Sequence, residues 1–292
     1  MSQVNLSFEL GALDLERAED ACFECGALAV TLSDCRDDAV LEPLPGEVRI
    51  WPSTRVQALF ADGFDVTLLQ QQLAAALHLP PDAIIAAAVP DKAWEREWLR
   101  DFHALRFGRR LWVRPSHEQV TDPDAVVVEL DPGLAFGTGT HASTALCLEW
   151  LDSLDETPAR VIDYGCGSGI LGIAALKLGA GEVQAFDIDP QALLATRENA
   201  QRNGVESRLR IVSGAADLER GSDVLLANIL AGTLIELAAE LCSLLRPGGR
   251  YVLAGILADQ QADVARAFKA WSEVRLFARR GDWVALTGTR IR

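Results

Sequence analysis

Val161-Ile-Asp-Tyr-Gly-Cys-Gly-Ser-Gly-Ile-Leu-Gly172 decides the fold of the second half of this 292-residue chain. Two β-branched residues lead into an acid, glycines follow at 165, 167 and 169, and an apolar helical stretch starts at Ile170. The pattern is a strand, a tight turn and a helix start. Glycine enters left-handed backbone without a Cβ penalty and lets a ligand approach the main chain, while a helix N-terminus offers unpaired N–H groups. Three alternate glycines (Gly165, Gly167 and Gly169) behind an acidic strand end predict a nucleotide-type cradle rather than a plain turn.

Outward from that turn, apolar runs at 161–162, 183–188, 224–227 and 251–256 alternate with helical spacing near 168–178, 190–203 and 231–245. Such alternation predicts an α/β unit, a parallel sheet with helices on both faces. Beyond it, residues 273–278, the turn Arg279-Arg-Gly-Asp282 and residues 283–288 read as an antiparallel β-hairpin.

Gly167-Ser-Gly-Ile-Leu-Gly172 also satisfies G-x-G-x-x-G, so a nicotinamide or flavin dehydrogenase is the first rival. Asp163 weighs against it. A carboxylate before the glycine turn repels a pyrophosphate and suits an amino-acid ammonium. A sulfonium cofactor with a zwitterionic methionine tail fits better, which predicts S-adenosylmethionine. The next strand ends Phe186-Asp-Ile-Asp-Pro190. Asp189 directly precedes a proline and is expected as the helix N-cap, which leaves Asp187 for the ribose hydroxyls. Asn228 ends the following strand, in Asn228-Ile-Leu-Ala231. Its amide oxygen is suited to accept from an acceptor amine and aim the lone pair at a methyl carbon. With neither proline nor ring in this run, an aliphatic amine is the expected acceptor rather than a nucleobase. Upstream, Asp131-Pro-Gly-Leu-Ala-Phe-Gly-Thr-Gly-Thr-His-Ala-Ser-Thr144 is a glycine and hydroxyl loop leading into a helix, expected as a lid over the cofactor. His141 in that loop is read as an anchor, with a base role as the alternative.

The first ninety residues follow a different plan. Strand-like stretches at 4–10, 27–32, 55–61 and 84–89, with helices over 14–25 and 64–78, give the βαββαβ order of a ferredoxin-like domain. Residues 91–120 carry Trp94, Trp98, Phe102, His103, Phe107 and Trp112 among charged residues and are expected to be a connector helix. The domains are therefore placed at 1–90, 91–120 and 121–292.

The formal net charge is −15, and residues 1–50 hold 11 acids against three arginines, a net of −8. That balance disfavours nucleic acid, whose binders displace counterions with positive charge, and reads equally as a solubilising surface or as steering of a basic protein partner. Cys22-Phe-Glu-Cys25 has no second ligand pair, so it is read as core packing with no metal. The N-terminal stretch lacks a secretory pattern and no long apolar run occurs, so a cytoplasmic location is expected. A monomer is the favoured state.

Together, the 131–144 loop, the Asp163–Gly169 turn, Asp187-Ile-Asp-Pro190 and Asn228-Ile-Leu-Ala231 resemble the PrmA family, methyltransferases of ribosomal protein L11. The resemblance covers nearly the whole chain. Ala142 departs from it, since the family more often has Pro after His. The resemblance implies a class I, Rossmann-like methyltransferase sheet behind a ferredoxin-like head that grips the ribosomal protein. It implies that Thr144, Gly165, Asp187 and Asn228 contact S-adenosylmethionine, and that the products are methylated α-amino and lysine ε-amino groups. A methyltransferase of RNA or of a small-molecule amine is the alternative.

Overall fold

A computed structural model of the chain describes residues 3–36, 50–88, 103–131 and 139–291. The chain divides into two units, Met1–Trp94 and Glu95–Arg292. In the first, β1 (Val4–Glu9), α1 (Leu15–Glu24), β2 (Ala29–Asp34), β3 (Thr54–Phe60), α2 (Val66–Leu77) and β4 (Ile85–Ala88) follow the expected order. They form an antiparallel sheet in the order β2-β3-β1-β4. Strict alternation along β3 turns Val56, Ala58 and Phe60 inward, where they meet Leu6, Phe8, Leu69 and Leu73. Asp14 caps α1 through Arg17 N–H, and the helix stops at Gly26 with φ 93°. Cys22 is buried in this core, and burial pushes its thiol up to about 12. Residues 37–49, between β2 and β3, lie outside the described residues.

The second unit begins, among the described residues, with β5 (Leu105–Phe107), β6 (Leu111–Arg114) and β7 (Val126–Glu129), a small sheet in that order. This corrects the connector helix: Phe107 and Trp112 stand on short strands. Phe107, Leu111, Val113 and Val128 are buried in the same core as the large sheet. Residues 91–102, with Trp94, Trp98 and Phe102, lie outside the described residues. Then come α3 (Ala142–Asp152), β8 (Arg160–Tyr164), α4 (Ile170–Lys177), β9 (Glu182–Phe186), α5 (Pro190–Arg202), β10 (Leu209–Val212) and β11 (Ser222–Asn228). The remaining elements are α6 (Ala231–Glu236), α7 (Ala238–Leu244), β12 (Leu245–Leu257), α8 (Gln261–Phe268), β13 (Ser272–Arg280) and β14 (Trp283–Arg290).

The large sheet runs β10-β9-β8-β11-β12-β14-β13. Its first five strands are parallel and the β13–β14 hairpin is antiparallel, both as expected; that β14 also pairs antiparallel with β12 is what the structure adds. Strand order reverses between β8 and β11. The helices after β8 and β11 leave on opposite faces of such a sheet, so a crevice opens at the carboxyl ends of these two strands. Two buried carboxylates hold the frame. Asp152, at the end of α3, accepts the Arg109 and Arg110 N–H groups of the β5–β6 turn. Asp163 lies beneath the crevice itself.

Candidate active site

The register of the sheet brings the expected site residues side by side. Asp163 pairs with Leu226 and Tyr164 with Ala227, so Asn228 stands next to Gly165. Tyr164 also pairs with Phe186, which sets Asp187 against the same glycine from the other side. Three neighbouring strand tips therefore carry Asn228, Gly165 and Asp187 across two strand spacings, about 10 Å.

Gly165, Gly167 and Gly169 all adopt left-handed backbone, with φ of 75°, 54° and 80°. The turn they make is pinned on every side. Gly165 N–H and Cys166 N–H both donate to Phe186 O, at 2.8 and 3.0 Å. Gly167 N–H donates to Asp187 Oδ2 at 2.8 Å. From α5, Thr196 Oγ1 donates to Gly167 O at 3.0 Å and Asn199 Nδ2 donates to Ser168 O at 2.9 Å. Thr196 fills the space beside Gly169, where a Cβ would come within 2.8 Å of its methyl.

Asp163 sits under this turn with no exposed surface. Its Oδ2 accepts Gly172 N–H at 2.8 Å, and its Oδ1 is buried without a hydrogen-bond partner. Burial disfavours the ionised form and pushes the carboxyl up to about 7; the Gly172 bond opposes that rise and the nearby Asp187 carboxylate adds to it. The expectation of an ammonium ligand is thus narrowed to one oxygen, because the other shapes the turn. Asp187 accepts from Gly167 through Oδ2 and from Asp189 N–H through Oδ1, and each oxygen keeps a second lone pair. Asp189 caps α5 at Gln191 N–H, 2.9 Å, with Pro190 in the first helical position, as its sequence context demands.

Thr144 and Asn228 meet: Asn228 Nδ2 donates to Thr144 Oγ1 at 3.1 Å. Thr144 lies in the first turn of α3, whose N-cap is His141. That ring accepts Ser143 N–H at 3.3 Å, lies 2.7 Å from Ser143 Oγ through the same nitrogen, and packs edge-on against Trp283, ring centroids 4.6 Å apart. The anchoring role expected for His141 is therefore what its Nδ1 performs, and burial holds the imidazole below its ordinary range. Residues 132–138 of the expected lid lie outside the described residues.

Three features of this region escaped the sequence reading. Thr196 and Asn199 look like ordinary polar residues on a charged helix, although their i, i+3 spacing puts them on one face. Ile188, between the two acids, is 90% exposed; it reads as the end of an apolar strand, but the strand stops at Phe186.

The architecture and the site agree with what the chain is similar to. A family model described as "Ribosomal protein L11 methyltransferase (PrmA)" matches residues 3–291. A ribosomal protein L11 methyltransferase of Vibrio cholerae is 51% identical over 271 residues, 92% of each chain. One from Alkalilimnicola ehrlichii is 47% identical over 293 residues, 99% of each chain. Among solved structures, a ribosomal protein L11 methylase from Lactobacillus delbrueckii subsp. bulgaricus is 34% identical with a TM-score of 0.60, covering 65% of this chain and 100% of that one. By its sequence over almost its full length, and with a class I methyltransferase sheet to match, the chain belongs to the ribosomal protein L11 methyltransferase family.

Proposed function

We propose that this chain transfers methyl groups from S-adenosylmethionine to α-amino and lysine ε-amino groups of ribosomal protein L11. The observation that carries the reading is Asn228 at the tip of β11, anchored through its Nδ2 beside the glycine turn. The residues fit such a cofactor. Asp163 Oδ1 is a buried acceptor lacking a donor, a demand that an ammonium meets. Gly165, Gly167 and Gly169 give the turn the left-handed backbone it needs beside the methionine part, Asp187 has lone pairs for the ribose, and Ile188 offers an apolar face to the base.

S-adenosylmethionine supplies a methyl on a sulfonium, already activated for in-line displacement by an amine. The chain supplies orientation, worth up to about 7–11 kcal/mol where the geometry is good. Asn228 Oδ1 accepts one N–H of the attacking amine, which points the nitrogen lone pair along the line of attack. The amine must arrive neutral. A lysine ordinarily near 10.4 needs desolvation to shed its proton to water, and an α-amine near 8 needs less.

We assign the substrate grip to residues 1–90. Along α1, Glu16, Asp20 and Glu24 are exposed at i, i+4 and i+8, an acidic stripe on one helix face. Such a stripe favours a lysine- and arginine-rich protein and repels an RNA backbone. No helix among the described residues is long and apolar enough to cross a membrane. Intact-mass analysis of purified L11, after incubation with enzyme and S-adenosylmethionine, tests the proposal. The expected result is a ladder of mass steps of about one methyl each, lost with Asn228→Ala. Unchanged L11 beside intact cofactor binding would reject L11 as the substrate.

A further inference from the structure

We propose that Asn203 is a positioning residue for the cofactor turn, tying the helix that props Gly167 and Ser168 to a strand that lies along the helix after the turn; the inference rests on the cofactor assigned above. Asn203 closes α5 as its C-cap, and its side chain bonds only main-chain groups. Oδ1 accepts Glu129 N–H at 2.8 Å, while Nδ2 donates to Glu129 O at 2.7 Å and to Asn199 O at 2.8 Å. A main-chain N–H only donates and a carbonyl only accepts, so these partners allow the amide one orientation. Glu129 ends β7, an outer strand of the small sheet. On either side of it, Val126 N–H and Leu130 N–H donate to Arg110 O and Arg114 O, at 2.7 and 2.9 Å. Strand alternation therefore turns both main-chain groups of Glu129 away from β6, and the Asn203 amide meets them as a further strand would.

Apolar burial does little to place α5. Ala192 and Ala200 are the only apolar side chains it buries fully, and Arg197 and Glu198 are exposed. Three polar side chains at i, i+3 and i+7 share the inward face instead, and each donates to a carbonyl outside the helix. Thr196 Oγ1 reaches Gly167 O at 3.0 Å, Asn199 Nδ2 reaches Ser168 O at 2.9 Å, and Asn203 Nδ2 reaches Glu129 O at 2.7 Å. The first two hold the turn and the third holds β7. That strand lies along α4, which starts at Ile170 as the turn ends, and its Val128 shares a core with Ile170, Ile173 and Ala174. The glycine turn is thus held between two helices, and Asn203 ties the second to the strand resting on the first. Without the tie, α5 can shift against α4 and carry the supports of Gly167 and Ser168 with it.

Asn203→Ala removes all three bonds, and Asn203→Asp keeps only the one from Glu129 N–H. Both variants are expected to raise the S-adenosylmethionine Kd about 10-fold or more by calorimetry. In both, kcat for L11 methylation at saturating cofactor should stay within about twofold, because Asn228 on β11 is untouched. Arg208→Ala is the control: Arg208 Nη1 donates to Ala180 O at 2.9 Å, a tie in the same unit past the far end of α4. It should lower the unfolding midpoint by a similar amount and leave Kd within about twofold. Added to Asn199→Ala, the Asn203→Ala change should raise Kd by less than the product of the separate effects, since both act through α5. A second readout needs neither cofactor nor acceptor. Gly167 N–H, which donates to Asp187 Oδ2, should exchange with solvent faster in both Asn203 variants and not in Arg208→Ala. An unchanged Kd in both Asn203 variants, an equal rise in Arg208→Ala, a fall in kcat with Kd preserved, or unaltered exchange at Gly167 would each overturn the proposal. Wild-type enzyme that binds no S-adenosylmethionine, beside the expected exchange response, would instead remove the cofactor assignment and leave the tie to the turn standing.

Discussion

Asp163→Asn should reverse its effect on stability between acid and alkaline pH. The carboxyl is enclosed, one oxygen bonded to Gly172 N–H and the other without a partner, and it is carried from its ordinary value to about 7. Between those two values the native protein holds a proton that the unfolded chain has released. Stability therefore falls as pH rises through that window, and the loss is complete above pH 7. At about 1.4 kcal/mol per pH unit, the enclosed charge costs of order 4 kcal/mol at pH 8.5. Asparagine has the same outline and can still accept from Gly172, but it places an NH₂ where the orphaned oxygen was. The protonated carboxyl already buries one unpartnered donor there and the amide buries two, and the extra one costs about 1–3 kcal/mol at every pH. The variant should therefore be less stable than wild type by about 1–3 kcal/mol at pH 4.5 and more stable by a similar amount at pH 8.5. Urea unfolding of both proteins across pH 4.5 to 8.5, without cofactor, measures the crossing. Parallel profiles, with the variant weaker throughout, would refute the assignment of this pH dependence to Asp163. Repeating the series with S-adenosylmethionine should add less stability to the variant, which has lost the charge proposed to meet the ammonium.

Three more perturbations probe the site from different sides. Gly255→Ala forces a left-handed φ of 79° on a residue whose new methyl overlaps the Ile229 backbone carbonyl; a loss of about 2–4 kcal/mol in chemical denaturation is expected, and an unchanged midpoint would contradict the close approach of Ile229 to this glycine. Asn199→Ala removes the donor to Ser168 O beneath the turn; about 1–3 kcal/mol of stability should go, with weaker cofactor binding by calorimetry. Ile188→Asn alters a side chain that is 90% exposed; stability should hold within about 0.5 kcal/mol while cofactor affinity falls, and an unchanged Kd would remove Ile188 from the base platform.

What the sequence made legible in this chain depends on short-range rules. The three glycines announce positive φ, Asp189 before Pro190 announces a cap, and Arg279-Arg-Gly-Asp282 announces a hairpin because each is fixed by its immediate neighbours. Assigning the cap to Asp189 needed only the proline. The small sheet at Leu105–Arg114 was missed because strands of three and four residues are too short to display a period, and aromatic spacing across their turn imitates a helix. The burial of Asp163 was equally out of reach: whether a strand-end acid faces ligand or core depends on which helix covers it, here α4 through Gly172. Thr196 and Asn199 carry no signal until α5 is docked, since a polar residue reads the same on a solvated face and beneath a turn.

The place of β14 governs how this protein is made. It is the last of the seven strands to leave the ribosome, yet it lies inside the sheet, between β12 and β13. Vectorial synthesis therefore cannot close the sheet one strand at a time. Until residue 290 is free, β12 presents an open apolar edge along residues 250–257, and β13 has no strand to pair with. An edge of that length is a template for wrong partners. The same delay withholds Trp283 from His141 and Arg280 from Glu149, so the helix bearing Thr144 lacks its supports while the chain is nascent. Both supports arrive together, with the hairpin that carries Arg280 and Trp283.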